Sequence, residues 1–271
     1  MMPAIVLVSL ALIMSPAMAR NEHRKSAPKV PHGVTCDAAC LRGMVDRYLA
    51  AVAAHDPARL PLAKRVKFTE MGQELELGDG FWHTASGLGR YKHYFADPDA
   101  GEIGFIGTMR EYGSLVLMGL RLRGERGSIS EIETVFYRKG SGPGWNDAGM
   151  DRLDTDGRLD PVWLETIPPA ERMTREQLAH TANLYFVGLQ GNDGKGIDGK
   201  GFYPFTKDCL RVENGVQTTS NPTLIANLPP GAFNFALDCT QQFESGYLGV
   251  VTRIHHPRFM AVDPAPGCHT T

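Results

Sequence analysis

The sequence predicts an α+β protein built from two copies of one helix-then-strand unit, on three observations. Two segments carry apolar residues at helical spacing, and a pair of long apolar stretches in the first half reads as a β-hairpin. A short motif is also echoed across the chain, KFTEMGQEL at 67–75 and RVENGVQTT at 211–219.

The first helix is expected in CDAACLRGMVDRYLAAVAAHDPARL (36–60), where Leu41, Met44, Val45, Tyr48, Leu49 and Val52 share one face. Asp37 caps its start, and Asp56-Pro57 stops it, because proline lacks the N–H and restricts the residue before it. The second is expected in MTREQLAHTANLYFVGLQGNDG (173–194), with Leu178, Ala182, Tyr185, Phe186 and Leu189 on one face. Thr174 and Gln177 are spaced as a capping box. Each helix carries a tyrosine mid-face and ends in an Asp-containing turn.

A strand-like stretch then leads to the echo, VKFTEMG in one half and LRVENG in the other. Glu70 and Glu213 occupy matching positions, and the longer second connection is accounted for by the Gly-rich GKGIDGKGF. Arg110 lies 40 positions after Glu70, and Arg253 lies 40 after Glu213; the arginines close IGFIGTMR and YLGVVTR. The first copy continues through SLVLMGLRLRGERGSISEIETVFYR, two strands with a turn at 124–127. The second copy reaches the end of the sequence without a matching hairpin. Its sheet edge would then pair with the first half, pair with another chain, or stay incomplete.

The chain has 271 residues, 42% apolar and 21% charged, with a formal charge of −2, values of an ordinary globular protein with no basic footprint for nucleic acid or anionic lipid. Ile5–Met14 followed by Ala17-Met18-Ala19 reads as an export signal over 1–19, too short for a permanent anchor, and 20–35 as a disordered leader. Export places the five cysteines in an oxidising compartment. The expected pairs are Cys36 with Cys40 and Cys209 with Cys239, leaving Cys268 free. His255, His256 and His269 lack metal-ligand spacing with the cysteines, and NDGKGIDGKG fails the calcium-loop pattern. No Walker loop, dinucleotide fingerprint or Ser-His-Asp ordering is present, so neither cofactor nor metal is expected. Residues 140–171, rich in Gly, Pro and Asp, read as a linker whose Trp145 and Trp163 pack onto the surface.

A helix, a polar turn, a strand ending in an acid and then long antiparallel strands resembles the nuclear transport factor two-like, or SnoaL-like, superfamily. Its fold is a cone of curved antiparallel sheet around helices. The resemblance covers 36–139 as a first domain and 172–271 as a second, partial one. More narrowly, ENG followed by TT, the motif HDPARLPLA and the two-copy layout resemble a largely uncharacterised exported bacterial and fungal family. The superfamily implies a pocket for a small apolar or aromatic molecule, and its enzymes include ketosteroid isomerases, dehydratases, cyclases and cofactor-free lyases. Carried onto this sequence, the general base falls at Glu70 and the phenolic donor at Tyr48, repeated as Glu213 and Tyr185. The isomerases' second donor, a protonated acid, falls at Met118, which departs from steroid-isomerase chemistry and leaves elimination, retro-aldol cleavage or cyclisation.

The residue chemistry supports two readings at each position. A glutamate at an apolar mouth loses hydration, so its pKa rises toward that of a general base, and a tyrosine aimed at an enolate oxygen contributes about 3 kcal/mol. Equally, Tyr48 and Tyr185 read as core aromatics, and Glu70 and Glu213 as salt-bridge partners of Arg110 and Arg253. His83 is a candidate proton shuttle, while Trp82, Tyr91, Arg211 and Asn214 are candidate pocket residues. The functional expectation is an exported, cofactor-free acid–base lyase, dehydratase or isomerase; the alternative is a non-catalytic ligand-binding or dimerisation module.

Overall fold

The computed structural model describes residues 36–142, 144–190, 203–224 and 233–264. The expected signal and leader, the 191–202 loop and Cys268 lie outside the described residues. Helix α1 (Ala38–Ala53) buries Leu41, Met44, Val45, Tyr48, Leu49 and Val52 on the face its spacing predicts, and Asp37 accepts the Cys40 N–H at 2.8 Å. Burying each such aliphatic side chain stabilises by roughly 1.5–3 kcal/mol, which ties the helix to the sheet beneath it.

Six strands form that sheet: β1 (Leu62–Glu70), β2 (Gln73–Glu74), β3 (Ala85–Asp97), β4 (Glu102–Glu111), β5 (Ser114–Glu125) and β6 (Ser128–Arg138). Their order is β2-β1-β6-β5-β4-β3, antiparallel throughout except for parallel β1 and β6. The result is the mixed α+β architecture expected, a curved antiparallel sheet wrapped on a helix. Because β1, β4 and β6 run the same way, their last residues Glu70, Glu111 and Arg138 share one end of the sheet. Period-two alternation sends Ile103, Phe105 and Met109 of β4, and Val116, Met118, Leu120 and Leu122 of β5, into the core against α1. A four-residue helix, α2 (Phe81–Thr84), precedes β3 and adds Phe81 and Trp82 to that core.

Over 172–271, read as a second, partial cone, the described residues form helices and a two-stranded hairpin without long strands. Helix α4 (Arg175–Leu189) has the predicted capping box, with Thr174 Oγ1 accepting the Gln177 N–H at 3.2 Å and Gln177 Oε1 accepting the Thr174 N–H at 2.8 Å. After it the strands β7 (Val212–Glu213) and β8 (Val216–Gln217) are two residues each, and Tyr247–Val250 winds as a 3-10 turn. Arg253 follows in irregular chain. Side chains replace a ladder here: Gln242 Nε2 donates to the Thr218 carbonyl at 2.6 Å and Thr219 Oγ1 accepts the Arg211 N–H at 2.8 Å, with Thr218, Thr219 and Gln242 fully buried. The Cys36–Cys40 and Cys209–Cys239 disulfides are both formed, the latter fastening the hairpin to α5 (Cys239–Glu244).

The echo has a definite local meaning. Met71 and Gly72 have φ of 50° and 81°, Asn214 and Gly215 have 48° and 84°, and each pair is flanked by the same strand pairing, Glu70 with Gln73 and Glu213 with Val216. Two consecutive left-handed residues make the tight hairpin turn that matches strand twist. The likeness between the halves is a helix and a turn, not a sheet.

All described residues belong to one compact unit, with the second half laid against the first. Arg175 forks onto Asp97 with two bonds of 2.7 Å and also donates to the Val262 carbonyl, Arg258 pairs with Glu133, and the linker's Trp163 stacks 5.0 Å from His93. Helix α3 (Gly144–Asp156) covers the outer face of β3 and β4 and receives the second hairpin at Gly149, where a Cβ would lie 2.3 Å from the Asn214 carbonyl oxygen.

Candidate functional site

At the shared end of β1, β4 and β6, Glu70 is half-buried and accepts the Phe81 N–H at both carboxylate oxygens, 3.2 and 3.1 Å. Gly80 lies so close that a Cβ would meet Glu70 Oε1 at 2.5 Å. Desolvation raises the Glu70 pKa above its ordinary value, the Phe81 N–H and the Arg138 charge oppose this, and Glu111 adds to it. Arg138 is committed elsewhere, with bonds of 2.5 and 3.0 Å to Glu111, which also accepts from Thr84 Oγ1 at 2.6 Å. Those bonds hold the Glu111 carboxyl below its ordinary value. The cluster is therefore two carboxylates and one guanidinium, and among the described residues Glu70 is the acid without a bonded cation of its own. The Phe81 and Phe136 rings, stacked at 4.4 Å, add an apolar flank, while Met71 and Tyr112 stand exposed on the turns at this end.

Behind Glu70 lies Tyr48, 1% exposed, its phenol pushed far above the ordinary value by burial, opposed by the Trp82 indole and reinforced by the Glu70 charge. Tyr48 and Trp82 meet edge to face at 5.5 Å. The phenol and the carboxylate thus sense each other electrostatically, but in place of the hollow interior expected, Trp82, Phe81, Phe68, Met109 and Met118 belong to the packed core around Tyr48. Trp82 Nε1 is near enough to the Tyr48 phenol to oppose its rise, yet it is buried without a hydrogen bond of full geometry to any described residue. The Trp82 carbonyl is held by His55 Nδ1 at 2.5 Å.

Arg110 does not neutralise Glu70. It points from the opposite face of β4, where its guanidinium donates to Asp154 of α3 at 2.9 Å, because neighbouring residues of a strand face opposite ways and Glu111 takes the inward position. Asp154 also accepts the Arg90 N–H at 2.7 Å and Thr108 Oγ1 at 2.6 Å, making Arg110 part of a helix-to-sheet clasp. His83 is exposed and pairs with Asp79, four residues earlier, at 3.3 Å. Tyr91 is half-buried, with burial raising its phenol pKa, and its N–H donates to Thr108 Oγ1 on the α3 side. Met118 is sealed in the core.

In the second half Tyr185 packs against Tyr203, Phe205 and Phe243, while Glu213 is exposed and paired with Arg211 at 2.9 Å. Arg211 also donates to Thr218 Oγ1 and lies over the Phe233 ring, Asn214 forms the hairpin turn, and Arg253 is exposed. Glu111, Arg138, Thr84, Phe81 and His55 escaped the sequence reading. The strand-end positions of Glu111 and Arg138 were readable, but the parallel pairing of β1 with β6 that brings them to Glu70 was not.

Compared with known proteins, residues 171–271 match the family model described as a domain of unknown function (DUF8021). No curated protein matches the chain. Among solved structures, a protein of unknown function with a cystatin-like fold from Methylobium petroleophilum PM1 aligns at 12% identity and a TM-score of 0.33, covering 41% of this chain and 81% of that one. A proposed ketosteroid isomerase from Kribbella flavida DSM 17836 aligns at 10% identity and the same TM-score of 0.33, covering 41% of this chain and 87% of that one.

Proposed function

We propose that the protein is exported and binds a small apolar or aromatic molecule at the sheet end around Glu70, where Glu70 acts as a general base on a hydroxy or keto compound without a cofactor. The observation that carries this reading is the half-buried Glu70 carboxyl at the sheet end, raised in pKa by desolvation and within electrostatic reach of the Tyr48 phenol, while Arg138 is bonded to Glu111. A base so placed takes a proton from carbon next to a carbonyl, the electron pair moves onto the carbonyl oxygen, and a phenol hydrogen bond stabilises the charge that forms there. Export is supported by the N-terminal apolar run and by two formed disulfides; no described helix is long and apolar enough to cross a membrane.

The second reading, a ligand-binding or dimerisation module without catalysis, is favoured by the filled interior around Tyr48 and by the Glu70 carboxylate's role in holding the start of α2. Turnover of aromatic β-hydroxy and keto compounds by wild type and Glu70→Gln separates the two. Glutamine still accepts the Phe81 N–H, so the fold is retained. Turnover abolished only in the variant supports the base, turnover equal in both removes it, and saturable binding without turnover in wild type selects the module.

A further inference from the structure

We propose that the segment Gly78–Thr84 is a gate whose Trp82 plugs the cone, and that His55 is the residue that holds it shut. The inference rests on the site reading above only for what the gate admits.

Three features set Trp82 apart from an ordinary core tryptophan. Its N–H is buried beside the Tyr48 phenol and without a well-formed hydrogen bond among the described residues, so a ligand acceptor would improve its pairing. The helix that carries it has four residues, and the glycines before it, Gly78 and Gly80, hold φ of 111° and 64°, backbone that side-chain-bearing residues rarely adopt. The segment's polar ties to the rest of the molecule are few: Glu70 accepts the Phe81 N–H, His55 holds the Trp82 carbonyl, Thr84 Oγ1 donates to Glu111, and the Thr84 carbonyl accepts the Tyr112 N–H, while Pro57 lies against Gly78. His55 and Pro57 come from HDP, the motif that ends α1. Withdrawing Trp82 would open the space between Tyr48 and Glu70 without breaking a strand pairing.

His55 itself sits at φ 54°, so its replacements must separate strain from bonding. Glycine tolerates that backbone and removes the donor, whereas asparagine tolerates it and keeps a short N–H donor. The disulfide-intact protein with Trp145→Phe and Trp163→Phe leaves Trp82 as the sole tryptophan, and acrylamide quenching and hydrogen exchange then report on the segment directly. His55→Gly is expected to raise quenching and to speed exchange over 78–84 about tenfold with α1 unchanged, and His55→Asn to stay near wild type. Exchange over 78–84 that is unaltered in His55→Gly, or that rises only together with α1, overturns the gate. The two readings fail separately. Glu70-dependent turnover with unaltered exchange sinks the gate alone, and an opened gate without turnover or binding sinks only the base.

Discussion

Glu70 and Glu111 lie at the same end of the sheet, yet their environments move their protons in opposite directions. For Glu70, whose folded pKa is raised, the unfolded chain ionises first as pH climbs. Its contribution is therefore neutral below the ordinary carboxylate value, becomes unfavourable through the window up to the raised value, and stays so above it. Glu70→Gln should gain stability relative to wild type between pH 4 and pH 7, measured by denaturant unfolding at both; a gap that narrows or reverses would show that Glu70 is not desolvated. Glu111 behaves conversely, since its lowered pKa contributes stability above the ordinary value that is lost as pH falls through the lowered one. Glu111→Gln should lose about 1.5–3 kcal/mol at pH 7, the usual worth of hydrogen bonds to charged groups, and much less at pH 3. His93, buried beside Phe95 and Trp163, is held down to about 4 by desolvation. Above the ordinary value of 6.5 it is neutral in both states and costs nothing, and as pH falls toward 4 the unfolded chain takes up the proton first, so stability declines. A His93→Phe variant should flatten the wild-type decline in melting temperature across that window.

At the scale of elements, α3 and the second hairpin make a contact with an unusual sign. Replacing an interior helical glycine by alanine ordinarily stabilises by roughly 0.5–1 kcal/mol. At Gly149 the added methyl would meet the Asn214 carbonyl and Val216, both part of a hairpin fixed by the Cys209–Cys239 bridge. Gly149→Ala should therefore lower the melting temperature, and a rise would show that the hairpin yields. This contact also marks where sequence reading stops. Helix faces, caps, the β5–β6 hairpin and the Cys36–Cys40 pair were legible because each is set by residues near one another in the chain, and the Cys209–Cys239 pair because both cysteines flank one stretch of the second half. The Glu-x-Gly echo was legible as a repeat but not as a turn, and the turn specifies only its own closure; whether strands lengthen around it depends on apolar partners that follow, present after Glu70 and lacking after Glu213. Arg110 was misplaced for a related reason: a count of 40 residues fixes a strand position, while the face depends on parity across the β3–β4 irregularities. Trp82 read as lining a pocket because sequence does not tell a wall from a plug.

For the whole molecule, the decisive question is whether the second half is a domain or a brace on the first. The structure ties the two through Arg175 and Asp97: the carboxylate is 1% exposed, and the guanidinium reaches it from the first turn of α4 while also holding the Val262 carbonyl. Removing one partner of a buried pair leaves an uncompensated charge, destabilising by about 3–5 kcal/mol when both are sequestered. Here Arg175 is 36% exposed at its side chain, so water reaches the pair and the loss should fall below that range. A double change, Arg175→Met with Asp97→Asn, removes the charge and the fork together, while the new amide oxygen can still accept the Ala100 N–H that Asp97 now holds. If the second half is a brace, both the single Arg175→Met and the double variant should unfold in one cooperative transition at lower temperature, with Arg175→Met the less stable, and proteolysis should cut the two halves together. If it is a domain, calorimetry should resolve two transitions, the first-half transition should not move, and cleavage within 157–174 should release a stable fragment carrying the six-stranded sheet. The shared cluster of Arg175, Asp97 and Val262, together with the seating of the second hairpin on Gly149, favours the single transition, because loosening either contact exposes surface that the other half covers.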